Sequence, residues 1–184
     1  YFGEEQPELV DALYYLGNVY VEQGKYAEAE KLLKQVLHIY KNKYYYGNDH
    51  PEVAKILNSL GRVYKGQGRY SEAERMCKRA LKIYKKYIKY GKKYYKKYGI
   101  DDLDIAKVLS NLGTIYYDQG KYDEAENMLE QALEILREKY GDEHPEIGKV
   151  LYNLGLVYQK KGDNTEAEIM FKQALEIYKK HYWQ

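Results

Sequence analysis

The 184 residues carry a formal charge of +2, are 45% apolar and 32% charged, and include three prolines. That balance supplies a continuous core and excludes a disordered chain, while no stretch reaches the ~18–20 apolar residues of a membrane-spanning helix. The N-terminus lacks the basic-then-apolar pattern of a secretory leader, and a single cysteine, Cys77, excludes an internal disulfide. The expected setting is cytoplasmic.

A fifteen-residue string occurs four times: LGNVYVEQGKYAEAE at 16–30, LGRVYKGQGRYSEAE at 60–74, LGTIYYDQGKYDEAE at 112–126 and LGLVYQKKGDNTEAE at 154–168. The starts are 44, 52 and 42 residues apart, so a basal unit of 42 carries short insertions between repeats. Self-similarity on this scale predicts units that bury their apolar faces only against neighbours. The expected organisation is one array over 1–184, with repeats at about 4–47, 48–99, 100–141 and 142–184.

In chain order, a first helix is predicted to start at Pro7 and stop at Gly24. In the second repeat, Val53, Leu57, Leu60, Gly61 and Tyr64 recur at helical steps from Pro51 to Gln67. Ala73, Cys77, Ala80, Leu81 and Tyr84 do the same from Tyr70 to about Lys86. Cys77 lies on that apolar face, as a buried structural thiol would. In the third repeat Leu103 takes the proline's place and Asp102 is the expected cap; in the fourth, Pro145 restores the pattern. Gly24, Gly68, Gly120 and Gly162 are placed to end the first helices. Gly17, Gly61, Gly113 and Gly155 fall inside them, which predicts close helix contact, with Ala29, Ala73, Ala125 and Ala167 as the small partners.

The L-G-x-x-Y of each first helix and the pattern Ala29/Leu33/Val36, Ala73/Cys77/Ala80, Ala125/Leu129/Ala132 and Ala167/Phe171/Ala174 of each second helix resemble the tetratricopeptide repeat. The long period, with Y-G-x-x-H-P-E at 46–52 and 140–146, resembles the 42-residue subclass of kinesin light chains and nephrocystin-like proteins. The resemblance implies an all-α, right-handed α-solenoid of four helix-turn-helix repeats that binds proteins without catalysis.

No pattern in the chain suits an enzyme. The histidines are scattered, with His50 and His144 at equivalent linker positions that suit helix capping, and there are no paired cysteines or phosphate-binding glycine loop. The E-A-E triplets place carboxylates at i and i+2, which diverge on a helix. No metal or cofactor is expected.

If the family's geometry holds, the concave face includes Tyr14, Asn18, Lys55, Asn58, Arg62, Lys107, Asn111, Thr114, Lys149, Tyr152 and Asn153. Lys55, Lys107 and Lys149 share one position in three repeats, and an Asn amide both donates to and accepts from an extended backbone. The expected ligand is an extended peptide with an acidic or acidic-aromatic motif. The five-residue carboxylate clamp of chaperone-binding members is incomplete in both sets of three consecutive repeats.

Residues 85–99, KKYIKYGKKYYKKYG, hold seven lysines and five tyrosines with no acid. Two readings apply: a lengthened second helix, or a site for single-stranded nucleic acid or an anionic surface. Tyr44, Tyr45 and Tyr46 mark a second tyrosine cluster in a linker, suited to self-association. Tyr1-Phe2-Gly3 matches Tyr45-Tyr46-Gly47, and the chain ends on a second helix. Both ends suit a segment of a longer array, a structural spacer, or end-to-end or homo-oligomeric stacking.

Overall fold

Prolines and glycines set the helix limits. The computed structural model describes residues 7–42, 48–89, 97 and 99–182. Among these are α1 (Pro7–Glu22), α2 (Tyr26–Asn42), α3 (Pro51–Gly66), α4 (Tyr70–Lys89), α5 (Asp102–Asp118), α6 (Tyr122–Tyr140), α7 (Pro145–Lys161) and α8 (Asn164–Tyr182). Helices α1, α3 and α7 begin at the expected prolines, where a missing N–H costs nothing. His50 and His144 cap α3 and α7: Nδ1 of each accepts the N–H of Glu52 or Glu146 at 3.2 Å.

The third repeat departs from expectation by one residue. The cap is Asp101 and not Asp102, which is the first helical residue of α5. Asp101 Oδ1 accepts the Leu103 N–H at 3.2 Å, and Asp104 Oδ2 accepts the Asp101 N–H at 3.3 Å. This reciprocal capping box satisfies two donors at once and draws the helix start one position earlier than the repeat register.

At the other end of each first helix, Gly24, Gly68, Gly120 and Gly162 adopt φ between 72° and 89°. The following residues, Lys25, Arg69, Lys121 and Asp163, each donate a backbone N–H to the carbonyl of Tyr20, Tyr64, Tyr116 or Tyr158. The glycine N–H bonds to a carbonyl three residues back in every case, completing a Schellman turn in all four copies.

The chain divides into two compact units, Tyr1–Ile100 and Asp101–Gln184. In the first unit, α1 pairs with α2 and α3 with α4, and α3 packs on both α2 and α1. Its core includes Leu33, Val36, Ile56, Leu57, Leu60, Cys77, Ala80 and Tyr84, all at most 1% exposed. In the second unit, α5 pairs with α6 and α7 with α8, and α7 packs on α6 and α5. Leu109, Leu112, Ile115, Leu129, Leu136, Ile147 and Leu151 fill that core. Each such side chain contributes about 1.5–3 kcal/mol by burial.

The mid-helix glycines do mark close approach, with a different partner. A Cβ on Gly17, Gly61, Gly113 or Gly155 would lie 3.0 Å or less from Leu33, Cys77, Leu129 or Phe171. These residues lie one turn beyond the expected alanines. Ala73 and Ala125 contribute through their carbonyls, at 3.4 and 3.2 Å. The alanines are nonetheless buried, since a larger residue there would push the two backbones apart.

Helix α4 runs to Lys89, three residues past the expected end, and Tyr87 on it is half-buried. Most of the lysine-tyrosine insertion, residues 90–96 and 98, lies outside the described residues, as do Tyr44, Tyr45, Tyr46 and the Tyr1-Phe2-Gly3 start.

Candidate functional site

The side chains singled out for binding lie on the first helix of each repeat, and the two units treat them differently. In the first unit they are largely committed to partners within the chain. Asn18, half-buried on α1, donates to the Tyr14 carbonyl at 3.0 Å and accepts from the Ser59 hydroxyl at 2.8 Å, tying α1 to α3. Arg62 Nη2 on α3 lies 2.5 Å from Glu22 Oε1. Lys55 Nζ, only partly exposed, lies 2.9 Å from Glu52 Oε1. Asn58 Oδ1 faces the buried Cys77 thiol at 3.8 Å. Burial pushes that thiol up to about 12, as expected of a structural cysteine.

The second unit differs at one lysine. Lys149 on α7 is exposed and pairs with Glu146 at 2.6 Å, repeating the Lys55–Glu52 arrangement one turn apart. On α5 the equivalent acid is Asp104, whose carboxylate turns back to the capping box. Lys107 is exposed and has no ion pair among the described residues. Asn111 and Asn153 are half-buried on α5 and α7, and Thr114 Oγ1 donates to the Asn111 carbonyl at 3.0 Å. Tyr152 is exposed and packs its ring 5.7 Å from that of Phe171.

A second set of residues escaped the sequence reading. In the first and third repeats the second Glu of the E-A-E triplet joins its repeat to the next. Glu30 on α2 accepts from Gln67 at 2.9 Å and from Arg69 at 3.2 Å, both from the turn after α3. Arg69 also lies over the Tyr64 ring, 4.2 Å from its centroid. Burial works to raise the Glu30 carboxyl, and hydrogen bonds from Lys34 and Gln67 with the charges of Lys34 and Arg69 overcome it, holding it at about 2. In the second unit Glu126 on α6 accepts from Lys161 at 2.5 Å. Burial and a hydrogen bond to Glu126 push the Tyr158 phenol up to about 12. The signal was in the sequence: the same Glu recurs in every repeat, opposite a tyrosine and a polar turn. Its meaning depends on the neighbouring repeat.

Among the described residues no group of His, Cys, Asp and Glu is arranged to hold a metal ion, and no helix is long and apolar enough to cross a membrane.

The family profile of the tetratricopeptide repeat matches residues 8–86 and 104–180. A search of curated proteins finds no match. Among solved structures, BtubC (BKLC) from P. vanneervenii is 25% identical, with a TM-score of 0.71 over 96% of this chain and 66% of its own. The apo form of RapI is 20% identical, with a TM-score of 0.74 over 97% of this chain and 59% of its own. MamA is 22% identical, with a TM-score of 0.61 over 97% of this chain and 84% of its own. The chain thus spans less than two thirds of BtubC and RapI, and the last two likenesses concern the fold alone. With the profile covering most of its length and all-α helical hairpins throughout the described residues, the chain belongs to the tetratricopeptide-repeat family of α-solenoid proteins.

Proposed function

We propose that the protein is a non-enzymatic interaction scaffold that binds an extended acidic peptide on its first-helix faces, with Lys107, Asn111, Lys149 and Asn153 of the second unit as the principal contacts. Proteins of this repeat family are typically scaffolds for protein–protein interaction, which supports the general reading. One observation carries the specific one: Lys107 is exposed without an ion pair among the described residues, at the position where Lys55 and Lys149 each hold a glutamate. An acidic side chain from a ligand would supply to Lys107 what Glu52 and Glu146 supply to its counterparts. Asn111 and Asn153 stand one helical turn along, with amides suited to an extended backbone. Asn18, Asn58, Lys55 and Arg62 have a supporting role: a ligand there competes with Ser59 and Glu22, and the Lys55 side chain is 27% exposed against 56% for Lys149, the other glutamate-paired lysine.

Fluorescence anisotropy tests this with a labelled peptide rich in Asp and Glu and carrying one aromatic residue. The Lys107→Glu/Lys149→Glu variant is expected to bind about tenfold more weakly or worse. Equal affinity for variant and parent rejects the assignment of this face. A variant with Gln at Lys92, Lys93, Lys96 and Lys97 serves as the control, and loss of peptide binding in it alone transfers the site to the lysine-tyrosine insertion.

A further inference from the structure

The face that α1 presents away from α2 has the composition of a repeat junction and no helix upon it among the described residues. Leu9 is 50% exposed, Leu16 42% and Val19 47%, and Ala12 between them is exposed as well. The residues 44 positions later, Val53, Ile56, Leu60 and Val63 of α3, are at most 1% exposed. Their counterparts on α7, Ile147, Val150, Leu154 and Val157, are at most 2% exposed. Helix α3 packs on α2 of the repeat before it, and α7 packs on α6 in the same way. The sequence therefore writes one junction surface into α1, α3 and α7.

The outer face of α8 carries the other half. Its Leu175 is 50% exposed, whereas Leu81 and Leu133 at the same register are 8% exposed. Glu168 is the fourth copy of the junction carboxylate. It is 65% exposed and pairs with Lys172 one turn on, where Glu30 and Glu126 reach the following repeat. Beside it an open cleft of about 340 Å³ has Glu168, Phe171 and Leu175 in its wall. Complementary charge is available at the start of the chain. Lys25 and Gln23 occupy the register of Arg69 and Gln67, the two groups that hold Glu30. Lys25 lies over the Tyr20 ring, 5.5 Å from its centroid, as Arg69 lies over Tyr64.

We propose that α8 of one copy receives α1 of a second copy in the manner in which α2 receives α3 and α6 receives α7. Leu9, Leu16 and Val19 seat on the outer face of α8, and Glu168 pairs with Lys25 and Gln23 of the second copy. The contact is heterologous, using different surfaces on the two copies, so association continues beyond a pair unless the rotation closes a ring. Burying three large apolar side chains supplies the drive, and the carboxylate fixes the register.

Sedimentation equilibrium of the whole chain over a concentration series tests the proposal, together with Val19→Glu, Lys25→Glu and Glu168→Lys. All three residues are exposed, and circular dichroism matched to the parent verifies that each variant remains folded. The parent's weight-average mass is expected to rise with concentration, and each substitution to weaken association at least about tenfold. An equimolar mixture of Lys25→Glu and Glu168→Lys regains association, since every junction then joins opposite charges. A parent that stays monomeric throughout overturns the proposal. So does association indifferent to the three substitutions, or a mixture that remains monomeric.

Discussion

Glu30 couples ionisation to the packing of neighbouring repeats more directly than the sequence suggests. Its carboxyl lies at about 2 in the folded protein, because Lys34, Gln67 and Arg69 outweigh the effect of burial. A carboxyl lower in the folded than in the unfolded chain contributes stability that is present above its unfolded pKa of about 4.3 and is lost as pH falls toward 2. Glu30→Gln is therefore expected to cost about 1–2 kcal/mol at neutral pH, and to flatten the loss of stability between about pH 5 and pH 2. Urea titrations at several pH values check both. A second residue-scale test concerns the helix contact at Gly61, where an added Cβ would collide with the Cys77 sulfur. Gly61→Ala should destabilise by about 1–3 kcal/mol despite its gain in helix propensity. Adding Cys77→Ala should recover part of that loss, giving a coupling of about 1 kcal/mol in a double-mutant cycle. That glycine's role was half legible. Its recurrence announced a close contact, yet choosing Cys77 over Ala73 as the partner requires knowing how far each second helix slides along the first.

At the scale of elements, punctuation made the limits of most first helices readable. Pro7, Pro51 and Pro145 start helices, and four left-handed glycines stop them, because both residue types act through local backbone geometry. The misplaced cap of α5 shows where local reading ends. Asp101 and Asp102 are both capable caps, and the choice between them rests on Asp104, which reaches back to the Asp101 N–H. Asp101 also accepts from Tyr140 at 2.9 Å and pairs with Lys139 at 3.2 Å, so it ties the end of α6 to the start of α5. Asp101→Ala is expected to lower stability by about 1–2 kcal/mol, and Asp102→Ala by less, since the latter removes only an exposed pair with Lys139 at 3.1 Å. Thermal melts of the two variants side by side give the order directly, and a larger loss at Asp102 would return the cap to that residue.

For the whole molecule, fold and site were unequally legible. Four concordant copies of one string determine an all-α repeat protein, because each copy needs the apolar face of the next. The proposed binding face was legible only as a set of positions. Lys55, Lys107 and Lys149 are interchangeable in the repeat register, but two of them hold glutamates one turn away and the third does not, for the indirect reason that Asp104 is occupied as a cap partner. Likewise Asn18 counts as a ligand group in sequence, yet in the fold it spends its amide on Tyr14 and Ser59. The measurement that bears most directly on the scaffold reading is a titration of the isotope-labelled protein with the acidic peptide, following side-chain amide resonances by NMR. The Asn111 and Asn153 amides are expected to shift together and saturably, Asn18 to respond less, and the shifts to vanish in the Lys107→Glu/Lys149→Glu variant. Shifts confined to the other faces of the helices, or undiminished in that variant, would contradict the scaffold reading.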